Sequence, residues 1–105
     1  MFDCPYLHGT VELTDERRRH IVERHPELPT DLEPKLAETL SDPDQVRLSA
    51  RFQNARLFSR WYNDMNGKYV VVVVVSDFSP SARHWIVTAY CTRSLAQGTV
   101  EWQKS

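Results

Sequence analysis

Two histidines five residues apart, His20 and His25, are the residues of this chain best suited to proton transfer. They lie in the stretch HIVERHPEL, with Arg24 just before the second histidine and Pro26 just after it. An imidazole titrates near neutral pH and can act as a general base or a general acid at pH 7. On a straight helix the rings would point roughly 140° apart, but Pro26 favours a helix that ends near Arg24. We therefore expect His25 to be free to turn back beside His20.

Two simpler interpretations of the histidine pair stay open. A metal site is the less favoured of them, because HxxxxH is not the HExxH spacing of helical zinc sites and no third ligand is evident. The other is that His25 only caps a helix C-terminus, where a cationic ring meets the negative end of the helix dipole. We therefore predict neither a metal nor a cofactor.

A second group of polar residues lies in segments that have the period of β-strands. Alternation predicts that Arg56 and Arg60 share one face of a strand, and that His84, Thr88 and Tyr90 share one face of another. We expect all five on the same side of the sheet. The planar fork of arginine suits phosphate, and it can stabilise the charge of a phosphorane that a hydroxyl group helps to position. The alternative is an ordinary solvated sheet face.

These residue types would suffice to cleave RNA, because RNA carries its own nucleophile, the 2′-hydroxyl. The chain has no P-loop, no GxGxxG or GxSxG motif and no zinc-finger spacing. Chemistry that depends on those motifs is therefore not indicated.

The elements that carry these residues change from helical to extended along the chain. Residues 1–10 have the pattern of an irregular segment, and a first helix is predicted from its N-cap Thr14 to about Arg24. Thr30 and Glu33 form a capping box for a second helix, which ends at residues 41–43. Strands are then predicted at residues 46–50, 56–62, 68–76 and 84–92, with Val100 and Trp102 packing back on the sheet after a break at Gly98.

This order predicts an α+β fold, with two N-terminal helices packed on a four-stranded antiparallel β-meander. Residues 70–75 are six consecutive valines, which indicate a central strand buried on both faces. In the last strand, Trp85, Val87, Ala89 and Cys91 form an apolar set that we expect to face the helices.

Length and composition indicate one soluble domain over residues 1–105, with 41% hydrophobic and 26% charged residues. Two cysteines, Cys4 and Cys91, are too few for a disulfide framework, and the N-terminus has no apolar core of a signal peptide. The longest apolar run is too short to span a bilayer. We therefore expect a cytoplasmic protein that has no contact with membranes.

Charge is unevenly distributed although the net charge is only −1. Residues 1–44 hold 11 acidic and 5 basic residues, whereas residues 45–105 hold 3 acidic and 8 basic ones. Of the 13 basic residues, 10 are arginine, which favours phosphate binding or simply reflects an arginine-rich proteome.

Six segments in this order resemble the phage-associated branch of the barnase–EndoU–colicin–RelE-like (BECR) ribonuclease superfamily. They are VELTDERRRHIVERHPEL, SDPDQV, RLFSRWY, KYVVVVVVS, WIVTAYCT and AQGTVEW, and the resemblance spans about residues 11–102. It implies N-terminal helices on a four-stranded antiparallel sheet, an RNA-cleaving groove and a role as a toxin or as a domain of a phage protein. By position, the family's histidine pair corresponds to His20 and His25, its basic sheet residue to Arg60, and its last-strand polar positions to Thr88 and Tyr90. The acidic N-terminal part departs from the basic surface expected of an efficient RNA binder.

The resulting prediction is a metal-independent endoribonuclease that leaves a 2′,3′-cyclic phosphate. His20 would be the base and His25 the acid, or the reverse; Arg60, with Arg24 or Arg56, would hold the phosphate, and Thr88 and Tyr90 would orient it. His84 is a further substrate-binding candidate. Such an enzyme would need an antitoxin or immunity protein as a partner. The alternatives are a non-catalytic module that binds nucleic acid or an acidic protein through the arginine-bearing face, and a homodimer formed through the sheet.

Overall fold

The computed structural model describes residues 1–29, 31–52 and 54–105 and contains two helices and seven strands in those ranges. Thr30 of the predicted capping box lies outside the described residues. In chain order the elements are β1 (Phe2–Cys4), β2 (Gly9–Val11), α1 (Asp15–Arg24), α2 (Glu33–Ser41), β3 (Gln45–Ser49), β4 (Ala55–Tyr62), β5 (Lys68–Asp77), β6 (Arg83–Thr92) and β7 (Gly98–Gln103).

Helix α1 begins and ends where its flanking residues predict. The Thr14 hydroxyl oxygen accepts a hydrogen bond from the backbone N–H of Arg17 at 3.2 Å, which satisfies one of the free donors of the first turn. His25 leaves the helical conformation, with φ −130° and ψ 67°, because Pro26 disfavours the α region for the residue before it. Ile21 is the buried residue of this otherwise polar helix, so most of α1 faces solvent.

Helix α2 supplies the apolar cover of the sheet. Leu36 and Leu40 are fully buried on it, and Leu32 is buried just before its first turn. Pro34 stands in the first turn, where its missing N–H costs nothing. These leucines pack with Phe58 and the even-numbered valines of β5, which form the core of the molecule.

The main sheet has five strands rather than the predicted four, in the order β6-β5-β4-β3-β7, with every neighbouring pair antiparallel. The predicted meander is confirmed for β3 to β6. The tail does not merely pack back on the sheet, because β7 pairs with β3 along Gly98–Gln103. A Cβ atom on Gly98 would collide with the carbonyl oxygen of Leu48, so this glycine permits the pairing that it was expected to break.

The N-terminal segment, expected to be irregular, forms a second, two-stranded sheet from β1 and β2. Directly after β2, the Glu12 N–H donates to the His84 carbonyl and the Ile86 N–H donates to the Glu12 carbonyl, each at 2.9 Å. These two bonds cover the start of the free edge of β6.

A β-bulge at Val87 overturns the predicted faces of β6. Val74 pairs with Ile86 but Val73 pairs with Thr88, so one residue of β6 has no counterpart on β5. Ile86 and Ala89 are consequently both buried on the helix side, whereas uninterrupted alternation would have separated them. Trp85 was expected to face the helices together with Ala89; the pairing places it on the opposite, outer face, beside Val75.

The outer face is strongly concave. Strands β6 and β7 are parallel and lie at opposite edges of the sheet, yet only residues 93–97 connect them. In a flat sheet, Thr92 and Gly98 would lie about 28 Å apart, from strand spacings of about 4.8 Å and a rise of about 3.3 Å per residue. Six peptide units reach roughly 21 Å at most. The sheet must therefore curl, and the connection crosses its outer face.

Ion pairs between the two halves of the chain cancel much of its charge asymmetry. Arg60 and Lys104 both pair with Asp42, at 2.8 and 3.0 Å, and Arg83 pairs with Glu12 at 2.8 Å. These basic residues are ion-paired with acidic residues of the same molecule, so their charges are not free to form a basic surface.

Candidate active site

The end of α1 brings His25 against a carboxylate. The Nδ1 atom of His25 lies 3.2 Å from Oε2 of Glu27, and the same oxygen accepts a hydrogen bond from the backbone N–H of Cys91 at 3.4 Å. Glu27 therefore joins the end of α1 to the edge of β6. A carboxylate at Nδ1 orients an imidazole and favours the tautomer whose Nε2 is free to accept a proton.

Protonation states at this position are set by local contacts. Burial opposes ionisation of Glu27, but hydrogen bonds from its own and the Cys91 backbone N–H, together with the nearby His25, lower its pKa below the ordinary value. Burial raises the pKa of Tyr90. At neutral pH the carboxylate is thus charged and the phenol keeps its proton, so Tyr90 can donate a hydrogen bond.

His25 and Tyr90 are neighbours across the edge of the sheet. Their ring centroids are 6.0 Å apart, with the planes inclined by 39°. Tyr90 and Thr88 lie two residues apart on β6, beyond the bulge, and both belong to its outer face. Of the five predicted catalytic residues, the structure therefore places His25 beside Tyr90, and Thr88 on the same face of β6 as Tyr90.

The concave outer face holds a cavity of about 550 Å³, which we call the outer groove. Apolar side chains of β4, β5 and β6 form its floor, and polar groups stand around its rim. The groove is lined by Ser49, Arg51, Phe52, Asn54, Ala55, Leu57, Val73, Val75, Val87, Thr88, Tyr90, Ala96 and Gln97. An apolar pocket with a few polar groups at its margin is the usual form of a ligand site.

Arg60 lies on the opposite face from Thr88 and Tyr90, so the expectation that they share a face is wrong. Arg60 pairs with Val70, which pairs with Cys91, whereas Tyr90 lies in the neighbouring row with Val71. The guanidinium donates to the backbone oxygen and the carboxylate of Asp42, at 2.7 and 2.8 Å, where α2 ends. Arg60 thus fastens β4 to the C-terminus of α2.

Arg56 and His84 are also on the helix side. The Nε atom of Arg56 donates to Glu101 at 2.7 Å, and that carboxylate also accepts from the Tyr6 hydroxyl. His84 is buried, with Nδ1 2.7 Å from the Ser76 hydroxyl. Burial and, to a lesser degree, Arg56 lower the pKa of His84. His84 is therefore separated by the sheet from the outer groove.

The remaining predicted residues, His20 and Arg24, lie on α1. His20 is half-buried and Arg24 is exposed. Residues four apart are neighbours on a helix surface, so the two form a short stripe on α1.

Two residues of the site were not predicted. Glu27 follows His25 by two positions, and its place after the proline was the available signal, since a chain that turns at Pro26 can direct a carboxylate back to the ring. Arg51 lies between β3 and β4, and its position at the rim follows from the curvature of the sheet, which no local pattern encodes.

Within the described ranges, no group of three or more His, Cys, Asp or Glu side chains is arranged to hold a metal ion. No helix among the same residues is long and apolar enough to cross a membrane. Compared with known proteins, the chain matches no family model, and no curated protein or solved structure is significantly similar to it.

Proposed function

We propose that this protein is a metal-independent endoribonuclease whose active site is centred on His25, at the edge of β6 and next to Tyr90 of the outer groove. The observation that carries the proposal is the array of Glu27, His25 and Tyr90 at the edge of β6. It combines a charged carboxylate, an oriented imidazole and a protonated phenol within one short segment of surface.

The reaction is an internal transesterification of RNA. His25 Nε2 takes the proton of the 2′-hydroxyl, whose oxygen attacks phosphorus, while Glu27 stabilises the imidazolium that forms. The bond from phosphorus to the 5′-oxygen breaks, and His20 donates the proton that this oxygen needs. The products are a 2′,3′-cyclic phosphate and a 5′-hydroxyl. The contact with Glu27 favours His25 as the base, which exchanges the roles first assigned from the sequence.

The anchors for phosphate differ from those predicted. Arg60 and Arg56 are held by the carboxylates of Asp42 and Glu101, which would compete with a bound phosphate. We assign phosphate binding instead to Arg51, at the rim of the groove, and we keep the predicted assignment of Arg24, at the end of α1. Tyr90 and Thr88 donate hydrogen bonds to the non-bridging oxygens.

A ribonuclease of this kind in the cytoplasm would need restraint, so the proposal extends to an antitoxin-like or immunity-type inhibitor. A non-catalytic module that binds through the arginine-bearing face is less well supported, because the arginines of that face already bind carboxylates. A homodimer formed through the outer face would cover the groove and compete with RNA.

The test is cleavage of labelled RNA by the purified protein in EDTA, with the products separated to detect the cyclic phosphate. His25→Asn should lower the rate by about 10²- to 10⁴-fold, the usual contribution of a general base. His8→Asn is the matched control, since His8 is an exposed histidine with φ 57°, a conformation that asparagine tolerates. Equal activity of the two variants, or loss of activity with EDTA, would contradict the proposal.

A further inference from the structure

The floor of the outer groove, unlike its rim, has the wrong chemistry for a phosphate and the right chemistry for a flat, uncharged ring. Leu57, Val73 and Val75 contribute to its floor, and among the described residues that line it Arg51 is the one that carries a charge. A phosphate placed on this floor would lose its water without gaining hydrogen bonds, which is unfavourable for a charged group.

Aromatic and amide groups stand beside this floor. Phe52 lines the groove with 62% of its surface exposed, and Tyr90 forms part of the same lining. The side chains of Asn54 and Gln97, at the rim, can pair with the donors and acceptors at the edge of a base. Apolar surface, an aromatic face and edge hydrogen bonds together are how proteins bind unpaired bases.

Building on the proposed function, we infer that the outer groove binds an unpaired nucleobase, so that the substrate is single-stranded or looped RNA. Tyr90 belongs both to the groove and to the contact with His25, so a base seated in the groove leaves its ribose and phosphate near the imidazole. Arg51 at the rim meets the phosphate of the same nucleotide.

Duplex RNA cannot use this groove. Its bases are stacked and paired, and neither their faces nor their Watson–Crick edges are free. The connection of residues 93–97 also crosses the outer face and is fastened there, because Arg47 Nη1 donates to the carbonyl oxygen of Ala96 at 2.9 Å. A double helix would meet this connection before it reached the floor.

The test measures binding without cleavage. Fluorescein-labelled 2′-O-methyl dodecanucleotides, which lack the nucleophilic hydroxyl, are titrated with the full protein by anisotropy, as single strands and as duplexes of the same sequence. We expect single strands to bind at least tenfold more tightly than duplexes. Phe52→Ala should weaken single-strand binding about tenfold, the loss of one base–aromatic stack. Phe78→Ala, which removes a phenylalanine that is also 62% exposed but lies outside the groove, should leave it unchanged.

Each outcome separates this inference from the proposed cleavage. Equal affinity for duplexes, equal effects of the two phenylalanine variants, or no binding of any dodecanucleotide overturns the base-binding groove. Binding that depends on Phe52, in a protein that leaves unmodified RNA intact, supports the groove and overturns the ribonuclease. A repeat at 50 and 200 mM salt checks the contact type, because the effect of Phe52→Ala should persist when phosphate contacts weaken.

Discussion

Replacing Val72 and Val73 by alanine, one at a time, tests which face of β5 packs in the core and which lines the outer groove. The two residues are adjacent in a run of six valines and lose the same two methyl groups, with the same change in strand propensity. Val72 is fully buried and pairs with Phe58 and Ala89, whereas Val73 is half-buried on the outer face. The difference in unfolding free energy therefore reports the environment alone.

The expected magnitudes follow from burial. Val72→Ala loses roughly 1.6 kcal/mol of transfer free energy, at about 0.8 kcal/mol per buried carbon, and a void left between helix and sheet adds about 1 kcal/mol. We expect a total near 2.5 kcal/mol, and a Tm lower by roughly 10–20 °C for a domain of this size. Val73→Ala removes groups that are already partly hydrated and should cost less than about 1 kcal/mol.

Equilibrium unfolding in urea, followed by tryptophan fluorescence, measures both values, and an unchanged m-value shows that the two variants unfold by the same transition. Equal costs for the two substitutions, or a larger one for Val73→Ala, would refute the assignment of faces. The neighbouring valines 74 and 75 repeat the comparison, since Val74 is buried and Val75 lines the groove.

Three further predictions concern charged and titratable groups. Glu27→Gln should lower the rate of RNA cleavage by about tenfold or more, because the Glu27 carboxylate orients His25. Glu23→Gln, on the exposed surface of α1, should leave the rate unchanged. Steady-state kinetics measures both. Burial lowers the pKa of His84 below its ordinary value of 6.5, so the unfolded state takes up the proton first. The free energy of unfolding should therefore fall as the pH drops below about 6.5 and stay level above it. Urea unfolding at pH 5 and 7.5 should show this difference, and His84→Gln should abolish it. Arg60→Ala should destabilise the fold and leave the affinity for a 2′-O-methyl oligonucleotide unchanged, whereas Arg51→Ala should do the reverse; a loss of affinity in Arg60→Ala would restore Arg60 as a phosphate anchor.

The elements with strong local signals were predictable. Thr14 and Pro26 bracket α1 because capping and the restriction before proline act within a few residues. The Asn66–Gly67 turn marks the hairpin between β4 and β5, and both residues adopt positive φ there. The four strands of the meander followed from their alternation and β-branched composition.

Other features depend on contacts between distant segments. Alternation in β6 predicted the faces of the residues after the bulge, such as Thr88 and Ala89, but the bulge at Val87 puts the residues before it on the faces opposite to those expected. Arg56 and Arg60 were expected in the site because they alternate on a strand, but the period of a strand does not tell which of its faces meets the helices. Strand β7 escaped prediction because Gly98, a strand breaker by propensity, is required by its approach to Leu48.

The connection of residues 93–97 is short, so the shape of the outer groove depends on where β7 docks. Strand β7 pairs only with β3, about fifty residues earlier, so its docking closes one of the longest loops in the molecule and belongs to the slow part of assembly. The curl of the sheet is held by that docking, and detachment of β7 would let the groove flatten while the core beneath stays intact. By mass action, any ligand that requires the curled form must slow amide hydrogen exchange along residues 98–103, far from the surface that it touches.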